Sequence, residues 1–276
     1  MKKISIKEVM DYCFCPMFYY LRYLANQRVD DSAMVNEKYD HDLHLTLYNY
    51  FNILQNNERS KIGHLKRTWG SLWIGKRGAS EFITTTIPDK KDTFNGRRRS
   101  GIEALVRFHE KWKNNEGYLI AVNTDFEVPI HQNLILTGTW ELIREVEING
   151  QREIQLVIFT TNPERRKSSL ALNRDLVMTA HSYAFLHNFK KKEGACVVYG
   201  LETGDFNRYT LEQDQYSLLK YTVSCVAQNI EDRRFPVCPS DKCSHCLYKV
   251  RCRMFMNDEA NMKQLFQLKK EVKENA

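Results

Sequence analysis

Cysteines are the residues of this chain with the clearest chemical potential. Three of its eight cysteines form the pattern Cys243-Ser-His-Cys246-Leu-Tyr-Lys-Val-Arg-Cys252. Two thiolates separated by two residues can bind one metal centre from a tight turn, and a third cysteine shortly after them can return to the same centre. Three thiolates leave a four-coordinate centre one ligand short. A fourth ligand is therefore expected from elsewhere in the chain.

Four residues are candidates for this fourth ligand. Cys15, which begins the segment Cys-Pro-Met-Phe-Tyr-Tyr, is the most obvious one, and Cys13, Cys238 and His245 are its rivals. Zinc and a cubane iron–sulfur cluster both accept four thiolates, so the spacing alone does not choose between them. A zinc ribbon in a nucleic-acid-binding protein would also explain the three C-terminal cysteines, but it would leave Cys15 without a role.

Composition and charge indicate a soluble globular protein with a polyanionic partner. Hydrophobic residues make up 42% and charged residues 27% of the 276 residues, which is typical of a folded domain. The 41 Lys and Arg against 34 Asp and Glu leave a net charge of +7, which favours a partner such as nucleic acid. The N-terminus reaches Glu8 before any long apolar stretch, so it does not resemble a secretory signal. We therefore expect a cytoplasmic protein, in which clustered cysteines bind metal rather than form disulfides.

The periodicity of apolar residues predicts an α/β protein with a central sheet. Helical spacing over Ile6–Leu24, Glu37–Leu54 and Gly101–Lys113 gives way to three strand-like stretches joined at the last turn by Asn149-Gly150. The region between 60 and 100 is less regular and is interpreted as a long exposed loop. The predicted strands are Tyr118–Val128, Leu134–Val146, Glu153–Thr161, Ala195–Leu201 and Arg208–Leu211, with helices at Ser169–Asn188 and Asp214–Asp232. This order of elements favours a sheet flanked by helices.

The cysteine arrangement resembles the iron–sulfur branch of the PD-(D/E)XK nucleases. That branch includes RecB/AddB-type exonuclease domains and the CRISPR-associated adaptation exonucleases. The resemblance implies a restriction-endonuclease-like α/β core, with an N-terminal helical insertion and a C-terminal iron–sulfur segment. It also implies a [4Fe–4S] cluster that joins the two ends of the chain, so it favours iron over zinc. The ligands implied by the resemblance are Cys15, Cys243, Cys246 and Cys252.

The same resemblance implies a division of the chain into five parts. An N-terminal helix with the first cluster cysteine (1–33) precedes a helical region (34–117) and the PD-(D/E)XK-like core (118–232). A cysteine segment (233–256) closes on Cys15, and a charged tail (257–276) follows.

The catalytic motifs of this family are only partly present. The histidine of the helical G-x-x-x-H-x-x-L motif matches His44, with Asp40 where glycine is usual. The acidic residue of G-x-x-D matches Glu141, in Gly138-Thr-Trp-Glu. The strand that should supply an acidic residue and a lysine has Ile158 and Thr160 in their places, and the Q-x-x-x-Tyr helix keeps only the tyrosine, Tyr183.

These replacements predict a catalytically inactive protein. Two-carboxylate nucleases use paired acidic oxygens to hold Mg²⁺ or Mn²⁺ against its hydration shell, and the metal activates water. Isoleucine supplies no oxygen, and threonine cannot replace the charge of lysine. The alternative is an active, metal-dependent single-strand DNA exonuclease that uses His44, Glu141 and a third ligand not recognised in the sequence. No Walker A motif is present, so the chain is not itself an ATP-driven helicase.

Basic clusters predict contact with nucleic acid. Lys and Arg neutralise phosphates largely without regard to sequence. One cluster lies on the predicted loop, a second follows the degenerate strand, and both are expected to contact DNA rather than RNA, together with Tyr183. The residues are Arg97, Arg98, Arg99, Arg165, Arg166 and Lys167. We expect a subunit of a larger DNA- or RNA-processing complex with a protein partner; a second alternative is a pure protein-interaction subunit of a replication or transcription complex.

Overall fold

A six-stranded mixed sheet forms the centre of the protein in the computed structural model, which describes residues 1–27, 31–56, 61–74, 94–112, 117–161, 175–240, 243 and 246–252. The strands are β1 (Lys2–Ser5), β2 (Tyr118–His131), β3 (Leu134–Ile148), β4 (Gln151–Thr160), β5 (Ala195–Gly200) and β6 (Phe206–Tyr209). The helices are α1 (Ile6–Phe14), α2 (Pro16–Tyr19), α3 (Asp31–Gln55), α4 (Ile62–Ile74), α5 (Phe94–Trp112), α6 (Leu176–Phe189) and α7 (Gln213–Glu231). A π-helical turn, Tyr20–Leu24, follows α2.

The long strand β3 organises the sheet. Strand β2 pairs with it antiparallel along nearly its whole length. The other edge of β3 is shared by two strands: β1 pairs parallel with residues 134–137, and β4 pairs antiparallel with residues 142–148. After β4 the chain crosses through α6 to β5, which lies parallel to β4, and β6 closes the sheet antiparallel to β5. The predicted central mixed sheet flanked by helices is confirmed.

Two hydrophobic clusters cover the two faces of the sheet. We call one the α3–α5 face, where side chains of α3, α4 and α5 pack on the sheet, and the other the α6–α7 face, where α1, α6 and α7 pack. Strand β4 alternates between them: Val157 and Phe159 belong to the α3–α5 face, and Leu156 and Ile158 belong to the α6–α7 face. Since side chains of a strand point alternately to its two sides, β4 is a regular strand buried on both faces.

Most predicted elements are confirmed, with small changes of boundary. The three central strands, α3, β5 and α7 lie where the apolar periodicity placed them. The turn between β3 and β4 has positive φ angles at Asn149 (52°) and Gly150 (77°), which is the backbone that an Asn-Gly hairpin prefers. Within the part of the chain that the structure describes, no helix combines the length and apolar character needed to cross a membrane.

The prediction of a long loop between residues 60 and 100 is wrong at both ends of this range. Helix α4 occupies Ile62–Ile74, and α5 begins at Phe94, so Arg97, Arg98 and Arg99 lie in a helix and not in a loop. In α4 the residues Leu65, Trp69 and Trp73 are at most 1% exposed. They are spaced four apart, which places them on one face of a helix. The remaining residues, 75–93, lie outside the described part of the chain.

The predicted helix Ile6–Leu24 is interrupted at Cys15. Cys15 has an extended backbone (φ −166°, ψ 122°) between α1 and α2. A residue that precedes proline is disfavoured in the helical conformation, while proline itself fits the first position of a new helix. Pro16 therefore ends one helix and begins the next, and it leaves Cys15 at a bend.

Candidate functional site

The candidate active site lies where strands β3 and β4 separate. Their ladder ends at the pair Leu142–Val157. Beyond this pair, the Oε2 of Glu141 accepts a hydrogen bond from the amide of Phe159 (2.7 Å), and the Nε2 of His44 lies 3.2 Å from the carbonyl oxygen of Phe159. Buried backbone groups need partners. The two side chains therefore supply partners at the point where pairing with β3 has ended.

Four oxygen atoms lie near the ring nitrogens of His44. Its Nδ1 lies 2.8 Å from the carbonyl oxygen of Asp40, so both ring nitrogens face carbonyl acceptors, and only the protonated ring can donate to both. The carboxylates of Glu141 and Asp40 lie 3.7 Å and 3.8 Å from the ring nitrogens. Burial acts to lower the pKa of His44, but Glu141, Asp40 and the two carbonyl groups outweigh it, so the pKa is raised. The arrangement favours an imidazolium rather than a neutral metal ligand.

Two further residues of the site were missed in the sequence. The hydroxyl of Thr161, just after β4, donates to the Oδ1 of Asp40 (2.7 Å) and so ties α3 to the end of the strand. The ring of Tyr48 lies 6.2 Å from that of His44, and burial, Glu141 and Asp40 raise the pKa of Tyr48. The spacing of Asp40, His44 and Tyr48 by four residues could have revealed Tyr48, whereas nothing in the sequence points to Thr161. We call this group the His44 site: Asp40, His44, Tyr48, Glu141 and Thr161.

A local distortion of β2 and β3 coincides with Glu141. Trp140 packs on the α6–α7 face, but Leu142, two residues later, packs on the α3–α5 face. In a regular strand the two would share a face. On β2, Asn123 stands between the partners of Trp140 and Leu142 and has a φ of 44°. The change of face allows Trp140 to be buried on one side of the sheet while Glu141 reaches His44.

Gly138, which begins the motif that ends at Glu141, is required by packing. A Cβ atom at this position would lie 2.4 Å from the ring of Phe126 on β2. That ring belongs to the core of the α6–α7 face and lies 4.9 Å from the ring of Trp140. Glycine here lets the aromatic core close over β3 just before the site.

The two positions predicted to have lost their catalytic residues do not face His44. Ile158 is 1% exposed within the core of the α6–α7 face, and Thr160 is also buried. The neighbouring Phe159 lies on the α3–α5 face, where its ring stacks on that of Phe51 at 5.6 Å. Neither side of this stretch of β4 carries an acidic residue. The sequence did not show which side of the strand faces the site.

The predicted nucleic-acid-binding residues are separated in space. Tyr183 lies on α6, at the α6–α7 face, where its hydroxyl donates to the carbonyl of Pro129 (3.2 Å) and the ammonium of Lys220 lies 4.8 Å from the centre of its ring. Tyr183 is therefore on the opposite face of the sheet from the His44 site, and its position does not support a role there. The predicted cluster Arg165, Arg166 and Lys167 lies outside the described residues.

Three of the cysteines implied by the resemblance lie at one place, where the N-terminal helices contact the C-terminal segment. Cys15, Cys246 and Cys252 pack against one small apolar cluster, in which the rings of Phe18 and Tyr248 lie 5.2 Å apart. Burial raises the pKa of Cys252, and so do Cys15, Cys246 and Cys243, which means that all three thiols lie near it. Of the described residues, no group of three or more His, Cys, Asp or Glu side chains has the geometry of a metal site.

The rival cysteines lie at a different place. Cys13 and Cys238 are exposed, and both act on the hydroxyl of Tyr12, whose pKa is raised chiefly by burial and further by these two thiols. That hydroxyl donates to the carbonyl oxygen of Arg234 (2.5 Å). Cys13 and Cys238 are thus grouped with Tyr12 and not with Cys252. The remaining rival, His245, lies outside the described residues.

The charge of His44 predicts a pH dependence of stability. A group whose pKa is higher in the folded protein stabilises it fully below the unfolded value, about 6.5 for histidine, and loses this contribution as the pH rises through the folded value. We expect the difference in melting temperature between the wild type and His44→Gln to be largest below about pH 6.5 and to shrink as the pH rises through the raised pKa of His44. Thermal denaturation of both proteins across this range measures it. A difference that grows with pH would mean that His44 is held neutral.

The sequence of the chain matches a known protein family. The family model for the PD-(D/E)XK nuclease superfamily matches residues 3–253. The structure is also similar to that of a candidate exonuclease from Eubacterium rectale, over 88% of this chain and 87% of that chain, with 11% sequence identity and a TM-score of 0.46. No curated protein matches the sequence. Because the family match covers nearly the whole chain, this protein belongs to the PD-(D/E)XK nuclease superfamily.

Proposed function

We propose that this protein is a catalytically inactive member of the iron–sulfur, RecB/AddB-like branch, which binds nucleic acid as a subunit of a DNA- or RNA-processing complex. The observation that carries the proposal is the arrangement of Glu141. Its Oε2 accepts the amide of Phe159 and faces His44, and β4 contributes no carboxylate beside it. A divalent metal that activates water needs several oxygen ligands. Here the acidic side chain already accepts a hydrogen bond from the sheet and lies 3.7 Å from the Nε2 of His44.

The cysteines near the chain ends suit a [4Fe–4S] cluster by the chemistry of their thiolates rather than by their present side-chain geometry. Such a cluster takes four cysteine thiolates, and three cysteines act on Cys252: Cys243 and Cys246 from the same segment, and Cys15 from the other end of the chain. The residues that would hold it are Cys15, Cys243, Cys246 and Cys252. When bound, the cluster would supply a covalent link between α1–α2 and the C-terminal segment. The protein's own side chains already bring these parts together, since Tyr19 stacks on Phe235 at 6.0 Å and Phe18 contacts Tyr248.

One observation favours a second function, metal-dependent cleavage with a relocated carboxylate. Asp40 stands on α3 where the family has glycine, and its carboxylate lies 3.8 Å from His44 and is bonded to Thr161 at the end of β4. Together with Glu141 it would provide two acidic residues and one histidine. Asp40 faces the Nδ1 of His44 and Glu141 faces its Nε2. The side chains would therefore have to rearrange before all three held one metal, with Asp40 as the third ligand that the sequence did not reveal.

A cleavage assay separates the two functions. We expect the purified protein to release no more product from end-labelled single- and double-stranded DNA, with Mg²⁺ or Mn²⁺, than the variant Asp40→Asn/Glu141→Gln does. This variant is the matched control because it keeps both side-chain shapes while removing both charges. Cleavage by the wild type that is at least about 100-fold faster than by this variant, the usual order for one catalytic group, would establish the second function instead.

A further inference from the structure

An apolar stripe lies on the outer side of α7, whose inner side is buried in the core of the α6–α7 face. Leu218 and Tyr221 are 49% and 69% exposed, and Cys225 is partly exposed. The three positions are spaced by three and four residues, which places them side by side on one face of a helix. A hydrogen bond to Cys225 raises the pKa of Tyr221, as expected for neighbours on this face. Single exposed apolar residues are common, whereas a continuous stripe indicates a surface that another element covers.

The described chain ends near one end of α7. Its last residue, Cys252, packs on the small apolar cluster that contains Tyr248. Tyr20 packs against this cluster as well, and its ring lies 5.4 Å from that of Phe235, four residues after the end of α7. Phe235 in turn belongs to the core of the α6–α7 face. Residues 253–276 therefore continue from a point close to the C-terminal end of α7.

The sequence of the charged tail (257–276) predicts an amphipathic helix. Its apolar residues at helical spacing are Met262, Leu265, Phe266 and Val272. Leu268 would lie on nearly the opposite side of such a helix from Phe266, because the two are two residues apart. Twenty helical residues span about 30 Å, and the 19 residues of α7 span about 28 Å. The tail is therefore long enough to cover the stripe from the C-terminal end of α7 towards its N-terminal end.

The charges of α7 and of the tail favour one direction. Exposed carboxylates lie at the start of α7, and exposed guanidinium groups follow its end. The residues are Glu212, Asp214, Arg233 and Arg234. In the tail the order is the same, since Asp258 and Glu259 come first and the cations Lys269, Lys270 and Lys273 come last. An antiparallel arrangement therefore brings opposite charges together at both ends, whereas a parallel arrangement brings like charges together.

The lysines of the tail lie on the side that would meet α7. Lys269 and Lys273 follow Met262 and Phe266 by seven residues, so the apolar residues and these two cations would share one side of the helix. The glutamates of this part, at 271 and 274, are turned by about 100° or more from Lys273. The cations, and not the nearby carboxylates, would therefore approach Asp214.

We propose that the C-terminal tail docks as a helix, antiparallel to α7, on the stripe of Leu218, Tyr221 and Cys225. The inference does not depend on the proposed function. The apolar residues of the tail would cover the stripe, and the opposite charges at both ends would set the direction. The tail is favoured over a second copy of the chain, because its connection to Cys252 keeps it at a high effective concentration beside α7.

Photo-crosslinking in the intact chain tests this contact. A photoreactive benzoylphenylalanine replaces Tyr221, and mass spectrometry of the irradiated and digested protein identifies the peptide joined to it. We expect a crosslink within one chain to a peptide that contains residue 266. Phe266→Ser should lower the yield of this crosslink about tenfold, because a large apolar contact is lost. Leu268→Ser is the matched control on the other side of the tail helix, and it should lower the yield less than about twofold.

An exchange of charges tests the direction of the tail. Asp214→Lys should lower the crosslink yield about threefold, which is the order of effect of an exposed ion pair. Lys273→Asp in the same chain should then restore the yield, because the two charges are opposite again. A yield that Lys273→Asp lowers further would show that the antiparallel direction is wrong.

Other results would overturn the docking itself. A crosslink between two chains would show that a second copy covers the stripe. A crosslink to another segment of the chain, or no crosslink, would show that the tail does not dock on α7. Equal yields from Phe266→Ser and Leu268→Ser would show that the apolar side of the tail is not the side that docks. Circular dichroism of each variant checks that it is folded, so that a lost crosslink is not a lost structure.

Discussion

Cys15→Ser is expected to abolish the visible absorption and most of the iron of anaerobically purified protein, whereas Cys13→Ser should leave both unchanged. The wild type should hold about four irons per chain, as a four-cysteine cubane does. The two cysteines are two residues apart, but Cys15 packs against the same apolar cluster as Cys252, whereas Cys13 directly follows Tyr12. Cys13→Ser is therefore a matched control for any general effect of losing a thiol from this part of the chain.

The same substitution should strongly lower the stability of the protein. A cluster that joins residue 15 to residue 243 closes most of the chain into a loop. The lower entropy of the unfolded chain alone would then stabilise the folded protein by about 5 kcal/mol. For a protein of this size, that corresponds to a fall in melting temperature of about 10–20 °C. Thermal denaturation under anaerobic conditions, with iron measured on the same samples, checks both effects together.

Two results would contradict the assignment of these ligands. A colourless wild-type protein with one zinc would keep the cysteine site but replace the iron–sulfur cluster. Equal loss of iron in Cys15→Ser and Cys13→Ser would mean that position 15 is not distinguished from its rivals. The pair Cys243→Ser and Cys238→Ser repeats the comparison at the other end of the chain, because Cys238 is grouped with Tyr12 as well.

Elements with an unbroken period could be predicted from the sequence, and elements whose period is interrupted could not. Helix α3 carries the buried residues Leu43, Leu47 and Phe51 at a fixed spacing of four, and strand β4 carries a continuous buried apolar run at 156–159. In α4 the three buried residues are separated by Lys66, Arg67 and Gly70, which are residue types that elsewhere indicate a loop. Their burial depends on Trp69 meeting Gly101 of α5, which is a contact between distant residues.

In the candidate site, too, the features that depend on contacts between distant residues could not be predicted from the sequence. The sequence predicted that His44 and Glu141 would be its residues, since both stand in recognisable motifs, and the structure brings them within 3.7 Å. It could not predict that Ile158 would face away from them. Which side of β4 meets His44 depends on the separation of β3 from β4 and on the distortion at Asn123, and these are properties of the folded sheet.

The second large effect is expected from Glu141→Ala, which should destabilise the protein by about 2–3 kcal/mol. Removing one partner of a buried ion pair leaves the other charge without compensation, which costs about 3–5 kcal/mol in a closed interior. The side chains of His44 and Glu141 are 15% and 17% exposed, so solvent reduces this cost. The amide of Phe159 also loses its acceptor. Urea denaturation or a melting temperature lower by about 5–10 °C would measure the effect.

The sign of this change distinguishes a structural site from a catalytic one. In a working two-carboxylate site without its metal, Glu141 and Asp40 would repel each other, so Glu141→Ala would relieve the repulsion and stabilise the metal-free protein, as is common for residues kept for function. Mn²⁺ would then raise the melting temperature of the wild type but not of the variant.

Glu141→Gln is the matched control, because its amide oxygen can still accept from Phe159 and only the charge opposite His44 is lost. We expect it to cost about 1 kcal/mol. If Glu141→Gln is as destabilising as Glu141→Ala, the charge of Glu141 holds β3, β4 and α3 together. If Glu141→Gln is nearly neutral, the hydrogen bond from Glu141 to β4 holds them together. In both cases Glu141 serves the fold.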